Sequence, residues 1–262
     1  MSLLTGKTVV VSGVGAGLGH QIAAAVVRDG GNAVLGARTE ANLAKSAAGI
    51  DPEGTRTAYL PTDITDEGRC EALAALAGER FGGIDAVVHV AAWDSYFGGV
   101  EDADFATWAS VIDVNLLGTL RMTRACLPAL KAAGGGSVVF IGTQSAVAAP
   151  SQVRQAAYAA SKGALTSAMY SLARELGPHR IRVNTVLPGW MWGPPVQAYV
   201  QFTAHTEGVP EDEVLGRLTG RMALPELATD GDVADAAVFL ASDRARAITG
   251  QSLLVNAGEL MH

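Results

Sequence analysis

Four polar residues in the middle of the chain have the types and spacing that acid–base chemistry needs. Tyr158 and Lys162 stand four residues apart in a segment with a helical pattern, which puts both side chains on one face of the helix. Ser145 precedes Tyr158 by 13 residues, and Asn115 lies in the preceding long helical segment. A tyrosine hydroxyl has a pKa of about 10, and a neighbouring ammonium would lower it by stabilising the phenolate.

The four residues together predict a catalytic set, in which Tyr158 acts as general acid/base and Ser145 holds the substrate oxygen beside it. Each residue also has a plainer interpretation. The Tyr–Lys pair could be a surface pair, Ser145 a loop hydroxyl, and Asn115 a residue at a helix kink. The coincidence of all four at these spacings favours catalysis.

A glycine-rich turn near the N-terminus has the context of an anion site. The apolar run Thr8–Ser12 leads directly into Gly13-Val14-Gly15-Ala16-Gly17-Leu18-Gly19, and a helical pattern follows. Glycines let the backbone approach a pyrophosphate, and a helix N-terminus favours its negative charge. A plain tight turn would also use glycine, but the position between the first strand and a helix predicts a dinucleotide site.

The end of the second apolar run bears on which dinucleotide is bound. The sequence there is Leu35-Gly36-Ala37-Arg38-Thr39, with no acidic residue to bind the ribose hydroxyls. An arginine at this point can bind a 2′-phosphate through paired donors, or it can simply be solvated at the start of a helix. We expect NADP(H) as the preferred cofactor, with NAD(H) as the alternative.

Taken together, these motifs resemble the short-chain dehydrogenase/reductase family over essentially the whole chain. The residues that carry the resemblance are the Gly13/Gly17/Gly19 turn, Asp63, Asn115, Ser145, Tyr158, Lys162 and Pro188-Gly189. The resemblance implies hydride transfer between a nicotinamide cofactor and a carbonyl or alcohol. It gives Lys162 a second role on the nicotinamide ribose, Asn115 a water that relays protons to Lys162, and Asp63 the adenine edge. The expected cofactor-binding residues are Gly13, Gly15, Gly17, Leu18, Gly19, Arg38, Thr39, Asp63, Ile64, Ala91, Tyr158, Lys162, Pro188, Gly189 and Met191.

The elements that must position these residues alternate along the chain. Short, continuous apolar runs, typical of strands buried on both faces, occur at Thr8–Ser12, Asn32–Leu35, Thr57–Leu60, Ala86–Val90, Ser137–Ile141, Arg182–Leu187 and Leu253–Asn256. Helical patterns occur at Leu18–Asp29, Glu40–Ile50, Asp66–Arg80, Asp104–Ala133, Ala156–Gly177 and Gly231–Ala241. This alternation predicts one α/β domain over residues 1–262, a Rossmann-like, doubly wound parallel sheet of about seven strands with helices on both faces.

Residues 189–229 fall outside the alternating pattern, and a loop of that length is usually a lid or a binding loop. Aromatic residues cluster here and after the fourth strand; the predicted substrate pocket is formed by Trp93, Tyr96, Trp190, Trp192 and Tyr199. They favour a small hydrophobic ketone or secondary alcohol as substrate. Some of them could instead cover a helix or a subunit contact.

The composition excludes several other classes of protein. The chain has 262 residues, a net charge of −7 and 49% hydrophobic residues, so neither disorder nor nucleic-acid binding is expected. Cys70 and Cys126 have no metal-site or disulfide spacing, so buried apolar roles are expected and no metal site is predicted. The N-terminus has no signal-peptide pattern, and the uncharged stretches are interrupted by Gly and Pro, so we expect a cytoplasmic protein without a membrane partner.

Three departures from the family pattern and two rival functions remain at this stage, the departure nearest the C-terminus being Asn256-Ala257-Gly258 in place of the commoner Asp-Gly-Gly. His89-Val90-Ala91-Ala92 replaces the usual Asn-Asn-Ala-Gly, and Gly193 stands where a threonine often meets the nicotinamide carboxamide.

A 3-oxoacyl-thioester reductase is one rival function, although residues 189–210 contain no Lys or Arg to bind a carrier phosphate. The other is a nucleotide-sensing protein without catalysis. The resemblance also implies a homotetramer or homodimer built on Asp104–Ala133 and Ala156–Gly177.

Overall fold

The computed structural model describes residues 2–149 and 153–261. Its strands are β1 (Thr8–Ser12), β2 (Asn32–Ala37), β3 (Thr57–Pro61), β4 (Ala86–His89), β5 (Gly136–Ile141), β6 (Ile181–Pro188), β7 (Met191–Trp192), β8 (Ala228–Thr229) and β9 (Ser252–Val255). Its α-helices are α1 (Leu18–Arg28), α2 (Glu40–Ile50), α3 (Glu67–Phe81), α4 (Phe105–Ile112), α5 (Thr119–Ala132), α6 (Ala156–Leu176), α7 (Pro194–Glu207), α8 (Glu211–Thr219) and α9 (Asp230–Ala241). No helix within these two ranges is long and apolar enough to cross a membrane.

Seven parallel strands form the central sheet, in the order β3-β2-β1-β4-β5-β6-β9. The order reverses between β1 and β4, which is where a doubly wound sheet opens a crevice at the carboxyl ends of its strands. The predicted α/β, Rossmann-like fold with helices on both faces is confirmed.

Alternate residues of the central strands pack into two separate hydrophobic cores, one on each face of the sheet. Val9 and Val11 pack on one face of the sheet with residues of α1 and α9 such as Ile22. Val10 packs on the other face with residues of α3, α5 and α6 such as Met122. Because both faces are covered, the strands read as continuous apolar runs rather than alternating ones.

The long helix predicted for residues 104–133 is interrupted. Its middle, Asp113–Gly118, is a π-helical turn between α4 and α5. A π turn takes up an extra residue and is often found at functional sites. Here it contains Asn115, whose side chain is fully buried.

The predicted long loop over residues 189–229 is also wrong, because much of it is helical. It contains α7 and α8, framed by the small parallel pair β7–β8. Val200, Ala204, Val214, Leu218 and Leu227 form a small core of their own, separate from the two cores of the sheet. The segment that follows β6, residues 189–229, is therefore a folded helical unit, which we call the lid.

Candidate active site

Ser145, Tyr158 and Lys162 lie on two elements that pack together at the carboxyl end of β5. Ser145 lies in a 3₁₀ turn three residues beyond the last residue of that strand, while Tyr158 and Lys162 occupy the first two turns of α6. The Lys162 Nζ atom is buried and donates a 2.7 Å hydrogen bond to the carbonyl oxygen of Ile141, the last residue of β5. That bond fixes the first turns of α6 against the carboxyl end of β5.

Burial controls the acidity of the Tyr–Lys pair. The Lys162 ammonium lies 6.0 Å from the centre of the Tyr158 ring. Loss of solvent lowers the pKa of Lys162 to about 8, against an opposing effect of the Asp94 carboxylate. Burial raises the pKa of the Tyr158 hydroxyl above its ordinary value and Asp94 raises it further, while a hydrogen bond with the Thr143 side chain lowers it. The expected lowering of the Tyr158 pKa stays a prediction, because among the described residues burial is the largest influence on this hydroxyl.

The Asn115 side chain clamps the segment that follows β4. Its Oδ1 atom accepts a 2.6 Å hydrogen bond from the backbone N–H of Trp93, and its Nδ2 atom donates to the Trp93 carbonyl at 3.0 Å. The second Nδ2 hydrogen goes to Ser161 Oγ on α6, at 2.9 Å. The amide donors are thus engaged by protein groups, and Asn115 ties three elements together. The water that the resemblance assigns to Asn115 stays a prediction.

Ser145 has an available hydroxyl, and its neighbours fix the turn that carries it. The Ser145 side chain forms no hydrogen bond with any of the described residues, whereas its backbone N–H donates to Thr143 Oγ1 at 3.2 Å. The buried Gln144 side chain accepts a 2.9 Å hydrogen bond from Asn256 near the C-terminus. Sequence reasoning missed Thr143 and Gln144, because polar residues in a loop carry no periodic signal.

The glycine turn between β1 and α1 is built by close backbone approach. Gly13 has φ +107°, and a Cβ there would lie 2.1 Å from the backbone nitrogen of Ala91 at the end of β4. A Cβ at Gly19 would lie 2.2 Å from the Gly13 carbonyl oxygen. Gly15 is different, because the space where its Cβ would stand is open and the residue lines a cavity. Gly13 and Gly19 shape the turn, and Gly15 leaves its outer surface free.

That cavity has a volume of 1090 Å³ and runs across the crevice where the strand order reverses. Seven of the predicted cofactor-binding residues line it: Gly13, Gly15, Arg38, Thr39, Asp63, Ile64 and Ala91. It is also lined by residues that the sequence reasoning did not single out, including Asn42, Thr62, Asp94 and Ser95. The predicted glycine turn and the ends of β2, β3 and β4 therefore share one cavity.

Arg38 and Asp63 both line this cavity but differ in how the protein holds their side chains. Arg38 is exposed and forms no hydrogen bond or ion pair with the part of the chain that is described. The Asp63 carboxylate accepts from both the backbone N–H and the hydroxyl of Thr65, at 2.9 and 2.7 Å. These bonds, with a smaller effect of Arg38, hold the pKa of Asp63 below its usual range. Asp63 is fixed and charged, whereas the guanidinium donors of Arg38 are available to a ligand.

Comparison with known proteins decides the family. The family model described as Enoyl-(Acyl carrier protein) reductase, a group of short-chain dehydrogenases/reductases, matches residues 13–259. The chain belongs to the short-chain dehydrogenase/reductase family. It is thus an oxidoreductase that acts on CH–OH groups with a nicotinamide cofactor.

Individual members of the family cover nearly the whole chain. L-fucose dehydrogenase from Mus musculus is 33% identical over 97% of this chain and 88% of its own length. The structure of a short-chain type dehydrogenase/reductase from Mycobacterium ulcerans has a TM-score of 0.87 at 28% identity, covering 98% of this chain and 90% of that one. The structure of L-sorbose reductase from Gluconobacter frateurii, complexed with NADPH and L-sorbose, has a TM-score of 0.92 at 25% identity over 100% of both chains.

The remaining predicted cofactor residues of this short-chain dehydrogenase/reductase lie outside the lining of the cavity. Gly17 is the N-cap of α1, which begins with Leu18 and Gly19, and Tyr158 and Lys162 lie on α6. Pro188 ends β6, Gly189 follows it, and Met191 starts β7. A Cβ at Gly17 would lie 3.2 Å from the Asp230 carboxylate at the start of α9, and one at Gly193 would lie 3.0 Å from it. Asp230, which sequence reasoning missed, therefore stands between the glycine turn and the first residues of the lid.

The predicted substrate-pocket aromatics are divided between the crevice and the lid. Trp93 lines the cavity. The Tyr96 hydroxyl accepts a 2.9 Å hydrogen bond from the backbone N–H of Asp104, just before α4. Trp190 and Tyr199 pack against each other with ring centres 5.0 Å apart, within the small core of the lid. Trp192 lies on β7 and is 38% exposed. Trp190 and Tyr199 thus stabilise the lid itself, in keeping with the alternative interpretation.

His89, which departs from the family pattern, is a buried neutral side chain. Its Nε2 atom lies 2.9 Å from Thr123 Oγ1, while Nδ1 has no partner among the described residues. Burial, with a smaller effect of the Lys162 charge, lowers the pKa of His89 to about 3. Thr123 Oγ1 donates in turn to the Thr119 carbonyl on α5. His89 therefore connects β4 to α5, where the family more often uses an amide.

Proposed function

We propose that the enzyme is an NADP(H)-dependent carbonyl reductase or alcohol dehydrogenase for hydrophobic ketones and secondary alcohols, with Tyr158 as general acid/base. The observation that carries the proposal is the packing of the elements that hold Ser145, Tyr158 and Lys162 at the carboxyl end of β5, in a sheet whose crevice has a cavity that reaches Arg38. The end of β5 offers a proton donor, a hydroxyl without a partner among the described residues and a buried ammonium, and the cavity offers the guanidinium donors of Arg38.

The residues around the cavity fit a phosphorylated dinucleotide. The open space above Gly15 at the start of α1 suits a pyrophosphate at a helix N-terminus. The free guanidinium of Arg38 suits a 2′-phosphate. Asp63 would meet the adenine, and Lys162 and Met191 the nicotinamide half. When bound, NADP(H) supplies the hydride.

In the reduction, the Ser145 hydroxyl donates a hydrogen bond to the substrate carbonyl oxygen and positions it beside Tyr158. The Tyr158 hydroxyl then donates its proton to that oxygen as the alcohol forms. Because its pKa is raised, Tyr158 holds this proton at neutral pH, which suits reduction. The reverse reaction needs the phenolate, so oxidation should speed up as the pH rises above neutral.

Tyr158→Phe tests the role of the hydroxyl. We expect this variant to fold, to bind NADPH and to lose nearly all turnover, since only the proton donor is removed. Tyr59→Phe is the matched control, because Tyr59 lies on β3, away from α6, and is 37% exposed. NADPH fluorescence, melting temperature and ketone-dependent NADPH oxidation are the measurements. Full activity in Tyr158→Phe would overturn the mechanism.

Arg38→Asp tests the cofactor preference. A charge-assisted hydrogen-bonded contact to a phosphate contributes about 2 kcal/mol, so kcat/KM for NADPH should fall about 30-fold relative to that for NADH. Arg174→Asp, at the far end of α6, is the control for a change in net charge. An unchanged NADPH to NADH ratio in Arg38→Asp would refute the assignment.

The rival acyl-thioester chemistry finds little support at the lid. Arg217 on α8 is paired with Glu207 and Glu213, and Arg221 is paired with Glu259. These charges are compensated within the protein, so they offer no strong site for a carrier phosphate.

A hydroxylated substrate is the second candidate. Two similar proteins are named for L-fucose and L-sorbose, and a carboxylate lines the cavity.

We also propose that copies of the chain assemble through α4–α5 and α6. Large apolar side chains are exposed there, namely Phe105 at 67%, Leu117 at 43% and Tyr170 at 54%. Exposed apolar surface of this kind marks interaction sites. Light scattering should give the mass of a dimer or tetramer, and a monomer would refute the proposal. The cytoplasmic location stays a prediction from the sequence.

A further inference from the structure

The acidic residue Asp94 stands on a firmly held piece of backbone at the reactive end of the crevice. It directly follows Trp93, whose backbone N–H and carbonyl are both bonded by Asn115. On the other side, the Asp94 carbonyl accepts a hydrogen bond from Gln155 Nε2, next to the start of α6. With the chain anchored at both points, the position of Asp94 relative to Tyr158 is set by the fold rather than by a loose loop.

The Asp94 carboxylate differs from the other acids that line the cavity. Asp63 is held by Thr65, and Asp113 forms a 2.9 Å ion pair with Arg121. Asp94 is exposed to the cavity and its carboxylate has no hydrogen bond or ion pair within residues 2–149 and 153–261. It is therefore an acceptor that the described part of the chain leaves free for a ligand.

The neighbours of Asp94 place it at the reacting end of the cavity. Its backbone carbonyl is bonded by Gln155, which stands three residues before Tyr158 at the start of α6. The negative charge of Asp94 accordingly raises the pKa of both Tyr158 and Lys162. Arg38, by contrast, stands with Thr39 and Asn42 where β2 leads into α2. A group bound by Asp94 would thus belong to the substrate and lie beside the atom that Tyr158 protonates.

We propose that Asp94 selects substrates that carry a hydroxyl group on the carbon next to the reacting carbon. The preferred substrates are then α-hydroxy ketones in reduction and vicinal diols in oxidation. This inference rests on the proposed function and names the substrate class of the same site. A carboxylate accepts strongly from a hydroxyl, whereas it repels carboxylates and phosphates at the same place. Anionic ketones are accordingly poor substrates.

The test compares four cyclic ketones that differ at one position: cyclohexanone, 2-hydroxycyclohexanone, 2-methoxycyclohexanone and 2-aminocyclohexanone. The methoxy compound keeps the size and removes the donor, and the amino compound offers an ammonium in place of the hydroxyl. For the wild-type enzyme with NADPH, we expect kcat/KM to be at least tenfold higher for the hydroxy ketone than for cyclohexanone and the methoxy ketone. A higher value for the amino compound would overturn the choice of a neutral hydroxyl.

Asp94→Asn, which conserves the shape of the side chain, should remove that preference. Its kcat/KM for the hydroxy ketone should fall at least tenfold more than that for cyclohexanone. Any general effect on Tyr158 and Lys162 cancels in this ratio, because it applies to every ketone. Glu101→Gln is the control, since Glu101 is an exposed acid in the segment between Asp94 and α4, and it should leave the ratio unchanged.

The outcomes separate this inference from the proposed function. If cyclohexanone is reduced with NADPH but the hydroxy and methoxy ketones react alike, the proposed function stands and the role of Asp94 is refuted. The same holds if Asp94→Asn keeps the wild-type preference. If no ketone is reduced and NADPH fluorescence shows no binding, the proposed function fails and the inference fails with it.

Discussion

Replacing the buried lysine of the active site should make the enzyme inactive and more stable at once. Lys162 is 2% exposed, and its Nζ atom bonds a single carbonyl, that of Ile141. Burial lowers its pKa from 10.5 to about 8. Each tenfold change in acidity corresponds to about 1.4 kcal/mol, so holding the charged amine in this place costs about 3 kcal/mol at pH 7. Lys162→Met fills similar space without a charge.

The net gain in Lys162→Met is smaller than that cost, because the Ile141 carbonyl loses a partner, which costs about 1 kcal/mol. We therefore expect the free energy of unfolding to rise by about 2 kcal/mol at pH 7, while ketone reduction is lost. Lys45→Met is the matched control, because Lys45 is exposed on α2 and its replacement should leave both quantities nearly unchanged.

The pH dependence gives the sharper measurement. Below pH 8 the amine is protonated in both the folded and unfolded chains, so its burial cost is fully present. Between pH 8 and 10.5 the unfolded chain binds the extra proton, and wild-type stability should rise with pH relative to Lys162→Met. Urea unfolding without cofactor should show the gap narrowing by about 2 kcal/mol between pH 7 and pH 10. A less stable variant at pH 7, or a gap independent of pH, would refute the reasoning.

Three further predictions concern the supports of the site. The pKa of His89 is lowered from 6.5 to about 3, so wild-type stability should fall relative to His89→Asn by about 1.4 kcal/mol per unit as the pH drops below 6.5; equal acid sensitivity in urea unfolding would contradict this. Asn115→Ala leaves the Trp93 backbone N–H and carbonyl without partners and should cost about 3 kcal/mol of unfolding free energy; a loss below about 1 kcal/mol would show that the clamp contributes little. Gly13→Ala should prevent stable folding, because its Cβ would clash with the backbone of Ala91 just after β4. Gly15→Ala should melt near the wild-type temperature but bind NADPH more weakly. An unchanged NADPH affinity in Gly15→Ala would show that the cofactor does not bind at this turn.

The sheet could be predicted from the sequence because its determinants are local. Runs such as Val9-Val10-Val11 identify strands buried on both faces, and the structure gives β1 these bounds. The positions of the glycine turn and of the Tyr–Lys pair followed for the same reason, since each depends on spacing within one or two elements.

The helices of the lid were missed although their ends carry signals. Pro194 and Pro195 stand in the first turn of α7, Gly208 ends it with φ +70°, and three acidic residues begin α8. The apolar pattern between these signals is weak, because α7 packs against the small core of the lid and not against the sheet.

Contacts between distant segments could not be predicted from spacing at all. The clamp of Asn115 on Trp93, the link from Gln144 to Asn256 and the approach of Asp230 to the glycine turn join residues 22 to more than 100 positions apart. They depend on how the elements pack, and one sequence without its relatives holds no record of that packing.

The π-helical turn at residues 113–118 has a consequence for insertions and deletions. Each residue of an α-helix turns the chain by about 100°, so removing one residue from this turn would restore regular α-helical bonding and rotate everything before it relative to α5. The fully buried Met122 of α5 would keep its place against the sheet, while Asn115 would turn away from Trp93. A deletion that restores the regular helix here would therefore break the hydrogen bonds between Asn115 and Trp93. The π turn lets α5 pack against the sheet while Asn115, one turn earlier, bonds the segment after β4.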